Sequence, residues 1–131
     1  MPTSTTSPKV DDLVRSALAA RARAATATAR NIWTKERFSA APPCGSDVVK
    51  LLRRLVAAQA AEAFWRHAKG VADEAGPTRV HADVMAWLVR RERGIAHGAP
   101  PSDPVDAAVA ALERRAQGHA ARDLRRLLSS T

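Results

Sequence analysis

The chain has 131 residues, with 21 Lys+Arg against 13 Asp+Glu and a formal charge of +8, a length that suits one domain or a small domain with tails. Hydrophobic residues make up 46% of it, yet 29 of those 60 are Ala, and Leu, Ile, Val and Phe together supply only 25. These counts predict a thin core that a partner or second copy would help to complete, and they exclude a large enzyme built round a deep pocket.

In chain order, residues 1–8 are polar and turn-rich, as frayed termini are. A helix is predicted to begin near Pro8–Asp11, where acidic side chains favour the positive end of the helix. Val10, Leu13, Val14, Ala17 and Leu18 form its apolar stripe. Beyond Arg23 the sequence is ambiguous. Thr26, Thr28 and Arg30 alternate with Ala25, Ala27 and Ala29, which fits a short strand or, more simply, continued helix, because Ala is a poor strand residue.

From Leu13 to Lys35 there are five basic residues and no acidic one. That suits either an ordinary basic helix in a cytoplasmic protein or a mitochondrial transit segment in residues 1–40, although Asp11 and Asp12 count against the latter. Residues 1–41 are therefore read as a basic, helical or partly disordered segment. No run approaches the ~18 apolar residues of a membrane span.

Pro42-Pro43 and Gly45 break the chain before a second helix over about residues 46–74. Its predicted core face is Val49, Leu52, Val56, Ala60, Ala63, Phe64, His67 and Val71, with Lys50, Arg53, Arg54, Arg66 and Lys69 largely off it. A third helix is predicted from Ala82 to Arg93, stopped by Gly94. A fourth opens at Asp103-Pro104, with Val105, Val109, Leu112, Ala116, Ala120, Leu124 and Leu127 as its stripe. The expected class is all-α, a small bundle of about four helices. Residues 45–95 form its helical centre, and 102–128 form a C-terminal amphipathic basic helix.

Catalytic chemistry finds little footing. The histidines at 67, 81, 97 and 119 have no i, i+3 or i, i+4 spacing, and Cys44 has no second thiol, so neither a metal nor a disulfide framework is expected. No phosphate-loop, dinucleotide or nucleophile-elbow pattern is present. The expectation is a binding protein, with no enzymatic activity and no cofactor. A basic excess favours anionic partners, among which nucleic acid is the commonest.

Ser46-Asp-Val-Val49, Leu52-Arg-Arg-Leu-Val56 and Trp65 resemble the second helix of ribbon-helix-helix antitoxins. The run from Gly70 to Gly76, followed by Val80-His-Ala-Asp-Val-Met-Ala-Trp-Leu88, is similar to the tail of that family. The resemblance covers about a third of the chain, and Pro42-Pro43 stands where the family usually has Gly and a small polar residue. It implies a homodimer pairing one short N-terminal strand from each chain in the DNA major groove. It assigns base reading to Thr26, Thr28 and Arg30, and a phosphate contact to the backbone N–H groups at Ser46 and Asp47; Arg53 and Arg54 are further candidate nucleic-acid contacts, or simply a solvated face.

It also implies a toxin or other protein partner that grips Val84, Met85, Trp87 and Leu88. Without the resemblance, those four are ordinary core residues of a small bundle. The competing expectation is a helical accessory subunit of a larger protein or ribonucleoprotein assembly, with Trp33, Trp65 and Trp87 exposed for contact and the chain ordering on its partner.

Overall fold

The computed structural model describes residues 8–37 and 45–130, with side chains from Lys9 to Ile32 and from Val48 to Ser130. Four helices follow in order, α1 (Pro8–Arg37), α2 (Gly45–Glu74), α3 (Val80–His97) and α4 (Pro104–Ser129). No strand occurs among the described residues. The Ala-Thr stretch after Arg23 lies inside α1, as expected where Ala, the best helix former, fills every second position.

The helix ends follow local chemistry. Asp11 sits in the first turn of α1 and is 1% exposed. Asp103 caps α4, its Oδ1 accepting from the Val105 N–H at 2.8 Å and the Asp106 N–H at 3.1 Å, with Pro104 directly after it. Helix α3 corrects the sequence reading, because it passes through Gly94 and ends at His97. A glycine costs a helix about 1 kcal/mol, and here the next residue, Ile95, offsets that by packing against the core. The helix stops where Gly98 turns extended, its N–H still bonded to the Gly94 carbonyl at 3.1 Å.

Consecutive helices run antiparallel, and α2 packs against all three others. Arg15 near the start of α1 donates to the Ala72 and Ala75 carbonyls at the end of α2, both at 3.4 Å. It thus adds a charged donor at the carbonyl end of α2, where the Ala72 carbonyl also accepts from the Ala75 N–H at 3.3 Å. His81 Nε2 lies 2.8 Å from the Leu128 carbonyl, and Arg125 pairs with Glu92, tying α3 to α4. The hydrogen bonds that Arg125 donates to the Glu92 carboxylate, and then the charge of that carboxylate, raise the Arg125 pKa above its ordinary value.

Val14 and Leu18 from α1 meet Phe64, Trp65, Ala68 and Ala72 from α2, Val80, Val84, Trp87 and Leu88 from α3, and Leu124 and Leu128 from α4. Among the described residues, seven of the seventeen buried hydrophobic residues are Ala. Methyl-sized contacts let helix axes approach to the short end of the usual 8–10 Å range. Phe64 sits among two indoles, 5.4 Å from Trp65 edge-on and 5.1 Å from Trp87. Trp65 and Trp87 are 6% and 7% exposed, so the expectation that they project for contact is corrected. The Trp33 side chain lies outside the described residues.

The predicted core faces of α2 and α4 are covered along only part of their length. Phe64 is buried and Val71 half-buried as expected, whereas Ala63 and His67, expected on the core face, are exposed, the His67 ring lying beside Trp87, as are Val49, Leu52, Val105 and Val109. Val49 and Leu52 stand on a side of α2 whose later positions Gln59, Ala63, Arg66 and His67 are exposed as well, and the helices also differ in length. From the Phe64–Trp87 contact α3 continues ten residues to His97, while α2 continues nineteen to Gly45, an overhang of about 13 Å at 1.5 Å per residue.

Leu88→Ala should cost about 2–5 kcal/mol, whereas Leu52→Ala should stay within about 0.5 kcal/mol, as urea unfolding followed by Trp fluorescence would report. Removing the α4 cap with Asp103→Ala should cost about 1 kcal/mol, read from the same transition.

Candidate nucleic-acid interface

Helix α1 has four described arginines, and its geometry divides them into two kinds. Arg15 is held by backbone carbonyls of α2. Arg21 pairs with Asp123 at 2.5 Å and lies 5.7 Å over the Trp65 ring. Arg23 and Arg30 have no carboxylate partner among the described residues. Seven residues apart, they stand two turns from each other on one side of the helix.

That side borders α2. Ala19, Ala22 and Ala27 fill the seam with methyl groups only, which leaves an open trough of about 560 Å³ between the two helices. Arg23 and Arg30 rim it from α1, Arg66 and Lys69 from α2, and Thr26 and Asn31 add polar groups. A second furrow continues along the seam past Leu55, Gln59 and Glu62, sharing Thr26, Arg30 and Arg66. The trough is therefore an apolar floor with long cations at its edges, the usual disposition of side chains that bury a stem and keep a charged head in water.

Two of the four cations already have partners on their own helix, Arg66 with Glu62 at 3.7 Å and Lys69 with Asp73 at 2.8 Å. Such exposed i, i+4 pairs are worth about 0.3–0.5 kcal/mol, so a phosphate can recruit these side chains at small cost.

The residues assigned to nucleic acid by the sequence do not all gather here. Thr26 and Arg30 line the trough. Thr28 faces another groove, of about 640 Å³, with Ile32, Arg54, Trp65 and His119, and its hydroxyl donates to the Ala24 carbonyl at 2.9 Å. Arg53 is exposed on α2 outside both hollows, and the side chain of Ser46 lies outside the described residues. Because Thr26, Thr28 and Arg30 belong to a helix, they do not form the two-residue period of a reading strand.

Sequence reasoning missed Arg23, Arg66 and Lys69. The seven-residue spacing of Arg23 and Arg30 was a signal, but nothing in the sequence says that α2 sets its own cations opposite them.

The partner-binding quartet is placed inside the bundle. Val84 and Leu88 are fully buried, Trp87 nearly so, and Met85 packs half-buried against the same cluster. A partner would reach them only by displacing α2 or α4. Among the described residues, no group of three or more His, Cys, Asp or Glu side chains is gathered for a metal. No helix of the structure is long and apolar enough to cross a membrane.

The chain matches no protein-family model, no curated protein and no solved structure.

The two kinds of arginine are separable by stability. Arg21→Ala should cost about 1 kcal/mol through loss of its ion pair and ring contact, while Arg30→Ala should stay within about 0.5 kcal/mol. Thermal unfolding of both variants beside the parent chain checks this.

Proposed function

We propose that this chain is a non-catalytic helical binding protein that takes the phosphate backbone of duplex DNA along the α1–α2 seam, in the manner of a small regulator. The observation that carries the reading is the convergence of Arg23, Arg30, Arg66 and Lys69 on one trough. It is reinforced by the absence of any acidic residue from Leu13 to Lys35. Cations without carboxylate neighbours keep their full attraction for phosphate, and release of counterions from DNA supplies most of the free energy of such contacts.

Contacts of this kind position a protein on the duplex and carry no sequence information of their own. The proposed activity is accordingly weakly sequence-selective. It differs from the ribbon mode the family resemblance implies, in which paired strands read base edges. The accessory-subunit reading has its own support in the uncovered apolar end of α2.

Binding of the purified chain to random duplex DNA, followed by fluorescence anisotropy between about 50 and 200 mM salt, tests the proposal over a range in which several phosphate contacts lose orders of magnitude in affinity. Arg23→Ala and Arg30→Ala should each weaken binding and lower the log–log salt slope by about 0.9. Affinity that is absent at low salt, or slopes unchanged in both variants, would sink the reading.

A further inference from the structure

After Glu113, helix α4 has five arginines and a single acidic residue, Asp123, which Arg21 of α1 engages. Two of the five are tied down, Arg114 by the Gly98 carbonyl at 2.8 Å and Arg125 by Glu92. The other three, Arg115, Arg122 and Arg126, are exposed and have no carboxylate partner among the described residues.

At about 100° per residue these three fall within about 40° of one another, on one line about 16 Å long down the helix. His119, also exposed, stands between them on that line. Leu124, fully buried, lies on the opposite side of α4. A cation near a helix C-terminus can be accounted for by the helix dipole, whose effect is confined to the last turn. Only Arg126 is in that turn, so Arg115 and Arg122 call for another account. From Arg115 to Arg126 no exposed residue is apolar. The face therefore has nothing to insert into a lipid surface, as interfacial helices do, and contact with anions is what it can offer.

This stripe and the phosphate trough are on opposite sides of the molecule. Arg21 and Thr28 mark the side of α1 that faces α4, through the Asp123 ion pair and the groove that Thr28 shares with Ala116 and His119. Arg23 and Arg30 are each two residues further on, about 200° round the helix, and border the trough instead. Arg122 and Arg126 flank the contacts that Asp123 and Leu128 make with Arg21 and His81. They thus stand toward the end of the bundle where α3 begins, opposite to the one where α1 ends and α2 begins. Duplex DNA stays straight over about 50 nm, so a duplex lying along the trough cannot also bend round so small a bundle to meet α4.

We propose that Arg115, Arg122 and Arg126 form a second phosphate-contacting face that takes a separate duplex, so that one chain holds two DNA segments together. The inference rests on the reading of the α1–α2 trough as a DNA site. Both faces contact phosphate, so the bridging weakens with salt and is indifferent to base sequence.

The full chain is mixed at about 50 mM salt with a random duplex of about 30 base pairs fixed to beads and a fluorescent duplex of the same kind free in solution. The parent should retain the free duplex on the beads. Arg122→Ala combined with Arg126→Ala should cut retention at least fivefold, while affinity for a single duplex, read by fluorescence anisotropy, stays within threefold.

Retention equal to the parent's in that variant would overturn the proposal, since the troughs of two associated chains would then bridge the duplexes. So would a parent that binds a single duplex and retains none, an outcome that leaves the trough reading standing. A parent with no affinity for duplex DNA removes both. If the double substitution lowers the thermal midpoint, Arg115→Gln combined with Arg122→Gln is read in its place against the same thresholds.

Discussion

Helix α2 touches every other helix, and it is nine residues longer, measured from its aromatic contact with α3, than the helix covering one of its sides. Much of the structure follows from that mismatch. Where all four helices are present, Phe64, Trp87, Leu88, Leu124 and their neighbours exclude water from one another. Burial there is worth about 1.5–3 kcal/mol for each large side chain. Beyond the end of α3, Val49 and Leu52 of α2 are exposed, and the same residue types contribute little there. The bundle therefore has a packed end and an open end, although the apolar pattern along α2 gives no sign of the change.

The alanines set the second constraint. A seam lined with methyl groups allows close approach in the core, as at Ala68 and Ala72. The same composition on the outer side of the α1–α2 contact leaves a furrow, because nothing longer than a methyl group rises from its floor. Long arginine and lysine side chains at the rim then define the cavity more than the backbone does. One residue type thus produces both tight packing and an open trough, depending on which side of the helix pair it occupies. It also explains how a chain with so few large apolar residues closes a core.

What could be read from the sequence, and what could not, follows from this. Helix ends were legible because they depend on local chemistry: Asp103 before Pro104, acids in the first turn of α1, Gly76-Pro77 after α2. The end of α3 was not, since Ile95 keeps the helix going past Gly94 through a contact with residues far away in the chain. The buried side of α2 was misplaced in part for a related reason. Ala occupies every side of that helix, so periodicity cannot say which alanines face inward. Trp65 lay off the predicted stripe, yet it is buried beside Phe64 and beneath Arg21. Of the candidate site, Thr26 and Arg30 were legible, whereas Arg66 and Lys69 become site residues only through the pairing of α1 with α2.

The basic side chains divide into engaged and unengaged ones. At the packed end, basic side chains are engaged: Arg15 by backbone carbonyls, Arg21 by Asp123, Arg125 by Glu92. Arg23, Arg30, Lys50, Arg53 and Arg54 have no such partner among the described residues. Mutual repulsion of five cations on one helical hairpin weakens it slightly, by amounts that salt screens over about 8–10 Å. A carboxylate placed among them would relieve that repulsion, and from Leu13 to Lys35 and Val48 to Ala61 the sequence has none. The charge imbalance is thus local to these two stretches of the hairpin. An anionic ligand there would relieve repulsion as well as gain its own contacts, so its binding would also stabilise the fold by mass action.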